Sequence, residues 1–381
     1  VFGTRLVFSS DATAWLRACD SDCGGVAFVG TFAHTAEHSN YQPAFVFSNG
    51  APGVKNLAEA GSHEAGHNLG LLHDGLVAVP GRDAVKYYTG CIPPATACPG
   101  AWAPIMGVGY FKPVTQWSKG EYQDADNPQD DLAVIQANGL SLRADDHGDS
   151  TGTATPLGSA GTFSSSGVIT TAADTDYFAF TAGAGTITAT VSPAANGPNL
   201  DISLQLRNSA GAVLTTVDPT VAMSNADVAT GMDATLAFVL PGGGTYYLAV
   251  SGVGSGSARR GGYSAYGSIG QYSISGTFPR PNTCSETNAT FVTKSPSPTI
   301  QPGSSASIFM TVRNAGGCEW TAAAGYGWRG TDGLAGETGS LWQPVPAGGN
   351  LTFEREVIPP STPGTYRYGV QLTRNGADFG P

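Results

Sequence analysis

The stretch His63-Glu64-Ala65-Gly66-His67-Asn68-Leu69-Gly70-Leu71-Leu72-His73-Asp74 holds three of the chain's six histidines. On a helix, His63 and His67 stand four residues apart, so both imidazoles leave the same face. Two neutral imidazoles at that spacing can hold one zinc ion, and Glu64 lies beside them, placed to act on water at the metal. Gly70 can take a left-handed conformation that stops the helix and brings His73 back as a third ligand. Three protein ligands leave a fourth position for water, which is the arrangement of a catalytic rather than a structural zinc. The plainer reading of HExxH alone is two surface histidines flanking a solvated Glu. The added Gly and third His argue against it.

The full pattern HExxHxxGxxHD resembles the metzincin zinc metallopeptidases, and GHNLGLLHD is similar to their adamalysin/reprolysin-like bacterial branch. That resemblance implies a Met-turn beneath the zinc, for which Met106 in Pro104-Ile105-Met106-Gly107 is the candidate; an ordinary core Met is the plainer reading. It further implies that residues 24–30 form an edge strand on which substrate lies as an added antiparallel strand, with Gly25, Val26, Ala27 and Phe28 as substrate-binding residues. A plain core strand is the alternative there. Residues 107–116 would form the wall of the primary specificity pocket. Some branches place a zinc-touching Tyr two residues after the Met. Val108 stands there and the nearest Tyr is Tyr110, so no Tyr ligand is assigned.

Positioning these residues takes a small α/β frame: a strand over residues 1–8, a helix over 12–18 capped at Ser10-Asp11, strands over 24–30 and 41–47, and the site helix from Asn56. Only 62 residues precede His63. The resemblance therefore leads us to expect a catalytic domain, residues 1–143, that lacks its first strand and backing helix. Residues 124–131 are acidic but fail the EF-hand template, with Gln129 where Gly is needed and Ile135 where the last Glu is needed. Asp130 instead reads as the cap of a helix ending near Asn138, with Gly139 as its stop.

From Asp145 the texture turns to Ser, Thr and Gly, with strands over 167–170, 176–181, 186–191, 201–207, 213–217, 234–240, 245–250 and 271–276, the spacing of a β-sandwich. Asp174-Thr175-Asp176-Tyr177-Phe178-Ala179-Phe180 and Gly244-Thr245-Tyr246-Tyr247-Leu248-Ala249-Val250 resemble the bacterial pre-peptidase C-terminal domain, which accompanies secreted peptidases. This module is placed at residues 144–278. Asp149, Asp174, Asp176 and Asp201 raise the question of a Ca2+ site; turn and strand-end Asp is the plainer reading. Residues 279–282 read as a linker. Residues 283–381, with Trp320 and the Pro363-Gly364-Thr365-Tyr366 stretch, resemble a Trp-containing Ig-like module and read as a second sandwich. There Trp320, Trp328 and Trp342 are core packing or a ligand-stacking face.

The six Cys form three sequence-local pairs with no CxxC: Cys19 with Cys23, Cys91 with Cys98, and Cys284 with Cys318. That suits disulfides in an oxidising compartment, with a metal-binding Cys19/Cys23 pair as the alternative. With 18 Lys+Arg against 29 Asp+Glu and a net charge of −11, the chain offers no basic patch for nucleic acid or an anionic membrane. No apolar run reaches a transmembrane length of ~20 residues. The expectation is a multidomain chain, an α/β catalytic domain followed by two all-β sandwiches. The function expected is that of a secreted zinc metalloendopeptidase acting on protein or peptide substrates, its C-terminal modules meeting matrix or cell-surface glycans. The rival is an extracellular adhesion protein with a vestigial peptidase domain.

Overall fold

A computed structural model describes residues 5–9, 23–33, 41, 43–94, 98, 100–281 and 288–380. The chain is mostly β, with two α-helices among the described residues. The chain divides into two units, Val1–Arg280 and Pro281–Pro381.

In the first unit, β1 (Arg5–Ser9), β3 (Pro43–Phe47) and β2 (Gly25–Val26) form a sheet in the order β1-β3-β2. β1 runs parallel to β3, and β2 is its antiparallel edge. Two residues of strand stand where seven were expected, and Ala27 and Phe28 lie beyond them. The physical reason lies in the next helix, α1 (Val54–Asn68), whose last carbonyls need donors. The chain leaves the sheet to supply them: Gly30 N–H donates to His67 O at 2.8 Å and Phe32 N–H to Asn68 O at 2.9 Å. The strand expected from residue 41 begins at Pro43. α1 begins two residues before the expected Asn56, because Gly53 at φ 91° turns the chain into it.

β4 (Trp102–Pro104) and β5 (Val114–Gln116) pair in parallel on either side of Met106. α2 (Asp131–Ala137) is capped as expected: the Asp130 carboxylate accepts from Ala133 N–H at 2.9 Å, and Gly139 at φ 96° follows its end. Cys91 and Cys98 are joined by a disulfide. Cys23 and Cys318 each take part in a disulfide of their own, while Cys19 and Cys284 lie outside the described residues, as does the expected 12–18 helix.

The rest of this unit runs from β6 (Thr155–Gly158), β7 (Thr162–Ile169), β8 (Thr175–Ala182), β9 (Gly185–Pro193), β10 (Ile202–Arg207) and β11 (Val213–Val217) through β12 (Ala222–Met223) and β13 (Ala229–Thr230) to β14 (Ala234–Leu240), β15 (Gly244–Gly252) and β16 (Gly270–Thr277). They make a five-stranded sheet, β11-β10-β15-β8-β6, and a four-stranded sheet, β14-β9-β16-β7. Alternation drives this arrangement. In β8, Asp176, Phe178, Phe180 and Ala182 face inward while their neighbours do not. Phe178, Phe180, Leu204, Leu248, Ile187, Val191 and Ile274, drawn from both sheets, fill one apolar core.

In the second unit, β17 (Ala289–Lys294), β18 (Ala306–Asn314) and β21 (Asn350–Val357) form one sheet. β19 (Tyr326–Asp332), β20 (Thr338–Ser340), β22 (Tyr368–Arg374) and β23 (Ala377–Phe379) form another. Trp320 is fully buried beside Tyr326 and Phe379, and Trp328 is buried, whereas Trp342 is 53% exposed with its ring edge-on to Phe353.

Candidate metal centre

α1 presents His63 and His67 one turn apart, with ring centroids 4.8 Å from each other. The helix ends after Asn68, and Gly70 at φ 95° reverses the chain. A side chain at 70 would also strike Asn138, since a β-carbon there would sit 2.6 Å from its Nδ2. The reversal returns His73, whose Nε2 lies 3.0 Å from His67 Nε2. Potential ligand atoms of all three histidines lie within 4.8 Å of one another.

The other ring nitrogens are already engaged. His63 Nδ1–H donates to Ile105 O and His67 Nδ1–H to Leu71 O, each at 2.8 Å. A carbonyl can only accept, so these bonds fix the proton on Nδ1 and leave the Nε2 lone pair for a metal. Burial keeps the rings neutral. Loss of solvent, reinforced by repulsion from His67, lowers the His63 pKa to about 3, and the same two causes lower that of His73 to about 4. The 3.0 Å Nε2 separation is near the ~3.3 Å that tetrahedral geometry gives for Zn–N bonds of ~2.0–2.1 Å. The donor set, its tautomers and its convergence all fit zinc.

Glu64 stands next to the triad. It is 6% exposed, its Oε2 has no hydrogen-bond partner, and burial raises its pKa to about 8. Beside it runs β2, so close that a β-carbon at Gly25 would meet Glu64 Oε1 at 2.7 Å. Beneath the helix sits Met106, fully buried with Leu69, Leu71 and Ile135. A β-carbon at Gly66 would lie 2.6 Å from its sulfur, so the glycine lets the helix settle on the methionine. Asp74 N–H donates to Met106 O at 2.9 Å, which ties the third histidine to the same turn.

The structure thus brings together His63, Glu64, His67, His73, Gly70, Met106 and Gly25. Val26 ends β2, Ala27 follows it, and Phe28 is half exposed with its carbonyl accepting from the buried Asn68 amide at 2.9 Å. Tyr87 was not foreseen. Its ring packs 4.5 Å from that of His73 and 6.2 Å from that of His63. It arrives on an irregular loop with no motif, so nothing in the sequence marks it. Tyr110, left unassigned, lies against Gly24, and burial with the nearby Glu59 and Glu64 carboxylates pushes its pKa up to about 12.

A second cluster lies in the β-rich part. Carboxylate oxygens of Asp145, Asp174 and Asp176 approach within 4.8 Å of one another. Asp174 Oδ1 and Asp176 Oδ1 are buried without hydrogen-bond partners. Asp146, His147 and Asp176 also converge. The His147 ring, however, is engaged on both sides, by Thr155 Oγ1 at 2.7 Å and Ser166 O at 2.8 Å, so the all-oxygen set is the better candidate for a cation. Two of the four acids considered from sequence stand elsewhere. Asp149 accepts from Thr175 N–H at 2.8 Å, and Asp201 accepts from the Tyr263 hydroxyl at 2.9 Å.

Three converging histidines, a buried carboxylate oxygen without a partner and a buried methionine beneath the helix are the features a metallopeptidase centre requires. The particular family follows from comparison with known proteins. Residues 8–118 match the model of metallo-peptidase family M12, a reprolysin-type model, and residues 174–252 match that of the bacterial pre-peptidase C-terminal domain. The chain therefore carries a reprolysin-like M12 metallopeptidase domain followed by a pre-peptidase C-terminal domain. Among solved structures, the pre-peptidase C-terminal domain of a collagenase from Bacillus anthracis is 18% identical, with 36% of this chain and 100% of that one covered, at a TM-score of 0.23. A periplasmic inhibitor of g-type lysozyme from Aeromonas hydrophila is 16% identical over 32% of this chain and 95% of that one, at a TM-score of 0.21. No curated protein matches. No helix among the described residues is long and apolar enough to cross a membrane.

Proposed function

We propose that the protein is a secreted zinc metalloendopeptidase that hydrolyses extracellular proteins. The observation that carries this reading is the convergence of three neutral histidines beside Glu64, whose Oε2 is buried without a partner. His63, His67 and His73 would hold the zinc, which when bound supplies Lewis acidity toward the scissile carbonyl and a lowered pKa for water. Glu64 Oε2 takes the proton released as water attacks and passes it to the leaving amine. Burial raises its pKa, and a bound cation would favour the ionised form that accepts a proton.

Substrate would align antiparallel along β2, with Gly25, Val26, Ala27 and Phe28 along its path. The position of β2 at the sheet edge and the closeness of Gly25 to Glu64 support this, because an extended peptide added to that edge would run beside the base. We read the catalytic module as α/β over residues 1–143, with sandwiches over 144–278 and 283–381 joined at 279–282. Asp145, Asp174 and Asp176 would hold a Ca2+ ion, as their two buried, unpartnered oxygens suggest. Secretion is supported by the pre-peptidase C-terminal domain, the disulfide chemistry and the acidic charge. The C-terminal module, with its exposed Trp342, would offer contact to matrix or glycan. Loss of hydrolysis of an unstructured protein on chelation, and its return with added Zn2+, tests the reading. Undiminished hydrolysis in chelator would overturn it.

A further inference from the structure

Between β15 and β16 the chain makes a long excursion, residues 253–269, which we call the strap. It is folded tightly on itself. Ser255 and Tyr263 exchange backbone hydrogen bonds of 3.0 Å, and a β-carbon at Gly262 would lie 2.1 Å from Ser255 O. Its root is riveted to the β-rich domain at one buried residue, Asp201. Asp201 N–H donates to Ser268 Oγ at 2.8 Å, Val253 N–H to Asp201 O at 2.9 Å, and the Tyr263 hydroxyl to Asp201 Oδ2 at 2.9 Å.

Its far side lies on the peptidase. The Tyr266 hydroxyl accepts from Leu132 N–H at 2.8 Å and donates to Asp130 Oδ1 at 2.7 Å, so it joins the cap of α2. Leu132 N–H is a first-turn donor with no partner inside the helix, and a distant domain supplies it. A β-carbon at Gly267 would sit 2.6 Å from Trp117 O and 2.7 Å from Gln116 Cβ, so the strap's backbone rests directly on the segment after the Met-turn. Gln116, 1% exposed, donates from Nε2 to Asn199 O at 2.6 Å. Tyr263 and Met232 of the β-rich domain share one apolar core with Leu76, Tyr88, Trp102, Val114 and Tyr122 of the peptidase.

The segments held this way matter to the metal centre. Ile135 of α2 packs with Met106 and Leu71 in the core beneath it, and Trp117 joins that core. Val114 to Ser118 continues from the Met-turn. A tethered accessory would meet the peptidase through a modest, polar interface and move relative to it. A joint with a shared core and a buried Gln116–Asn199 bond is instead part of the fold.

We propose that the strap is a built-in wall of the peptidase, with Tyr266 and Gly267 as positioning residues that set substrate choice by fixing residues 114–118 and the first turn of α2. A segment of the β-rich part then determines specificity from outside the residues matched to the M12 domain. This rests on the reading of the triad as a peptidase centre, and the test separates the two.

In the full chain, Tyr266→Phe removes both hydroxyl bonds and Gly267→Ala wedges a methyl group against Trp117 O. Amide hydrogen exchange should quicken about five- to tenfold at residues 114–118 and 131–137, and stay unchanged in β3. Over a peptide set varied only at the residue after the scissile bond, the ratio of kcat/KM values between best and worst peptides should change by about tenfold. A structural role alone would lower all peptides alike. Unchanged exchange in both variants overturns the proposal, and so does quickened exchange with unchanged ratios. A wild type that cleaves no peptide sinks the peptidase reading and with it the role in substrate choice, while exchange still decides whether the strap holds the segments.

Discussion

Gly25 lies against Glu64: a β-carbon built at position 25 would sit 2.6 Å from Glu64 Cγ and 2.7 Å from its Oε1. The edge strand and the base therefore share one space, and only a residue without a side chain leaves Glu64 where it stands. Gly25→Ala should displace the carboxylate and lower kcat by about tenfold to a hundredfold. Bound zinc should stay at one per chain, because none of the three histidines is touched. Steady-state kinetics with metal analysis checks this, and loss of zinc alongside activity would place the damage elsewhere.

Gly66 is under the opposite pressure from what helix propensity suggests. Alanine is the better helix former, by about 1 kcal/mol in an exposed position. Here its methyl would meet Met106 Sδ at 2.6 Å and Leu71 Cδ1 at 3.3 Å. Gly66→Ala should therefore destabilise the protein by about 1–3 kcal/mol. A rise in Tm would show that the Met-turn does not press on the helix.

Tyr87 supports His73 with its ring, 4.5 Å between centroids. Tyr87→Ala should weaken zinc binding about tenfold or more, as loss of the groups around metal ligands generally does, while Tyr87→Phe keeps the ring and should stay within a few-fold of wild type. Competition with a chelator of known affinity measures both. Equal affinities for all three proteins would remove Tyr87 from the metal centre.

The carboxylate cluster should make stability depend on pH in an unusual sense. Without a cation, burial first and then repulsion from Asp174 raise the Asp176 pKa to about 7, against a partial offset from the Tyr272 hydroxyl. A carboxyl whose folded pKa lies above its unfolded value of 3.8 binds its proton more tightly in the native state. Its contribution is therefore full below about pH 4 and is lost as pH rises through 7. The cation-free protein should lose about 1–3 kcal/mol from this group over that range. Added Ca2+ should raise Tm at pH 7 and flatten the slope, and Asp176→Asn should abolish the response to Ca2+. A Tm indifferent to Ca2+ in wild type would contradict the site.

The convergence of the histidines beside Glu64 is legible in the sequence because it is local. Helical spacing and one glycine set His63, Glu64, His67 and His73, and no distant contact is needed to bring them together. The β-rich strands were legible from alternation, as in β8 and β14, but β6, β12 and β13 are too short or too rich in Pro and Gly to announce themselves. Two features escaped because they depend on residues far apart. Asp145 meets Asp174 and Asp176 only once β8 has formed, and the expected companions Asp149 and Asp201 serve the backbone and the strap instead. Texture places a domain boundary at 143/144, and Trp102 and Tyr263, one on each side of it, share a core. Composition records where strands begin, not which surfaces they bury. The brevity of β2 follows the same logic: the carbonyls at the end of α1 recruit Gly30 and Phe32, and the periodicity of residues 24–30 carries no sign of that demand.

In the proposed reaction Glu64 moves the proton while the histidines hold the metal. Its most direct test pairs zinc content with hydrolysis of an unstructured protein for wild type and Glu64→Gln. One zinc per chain in both, with kcat reduced by about a thousandfold or more in the variant, is the predicted result. Equal activity in the two proteins, or a wild type that binds no zinc stoichiometrically, would contradict the account.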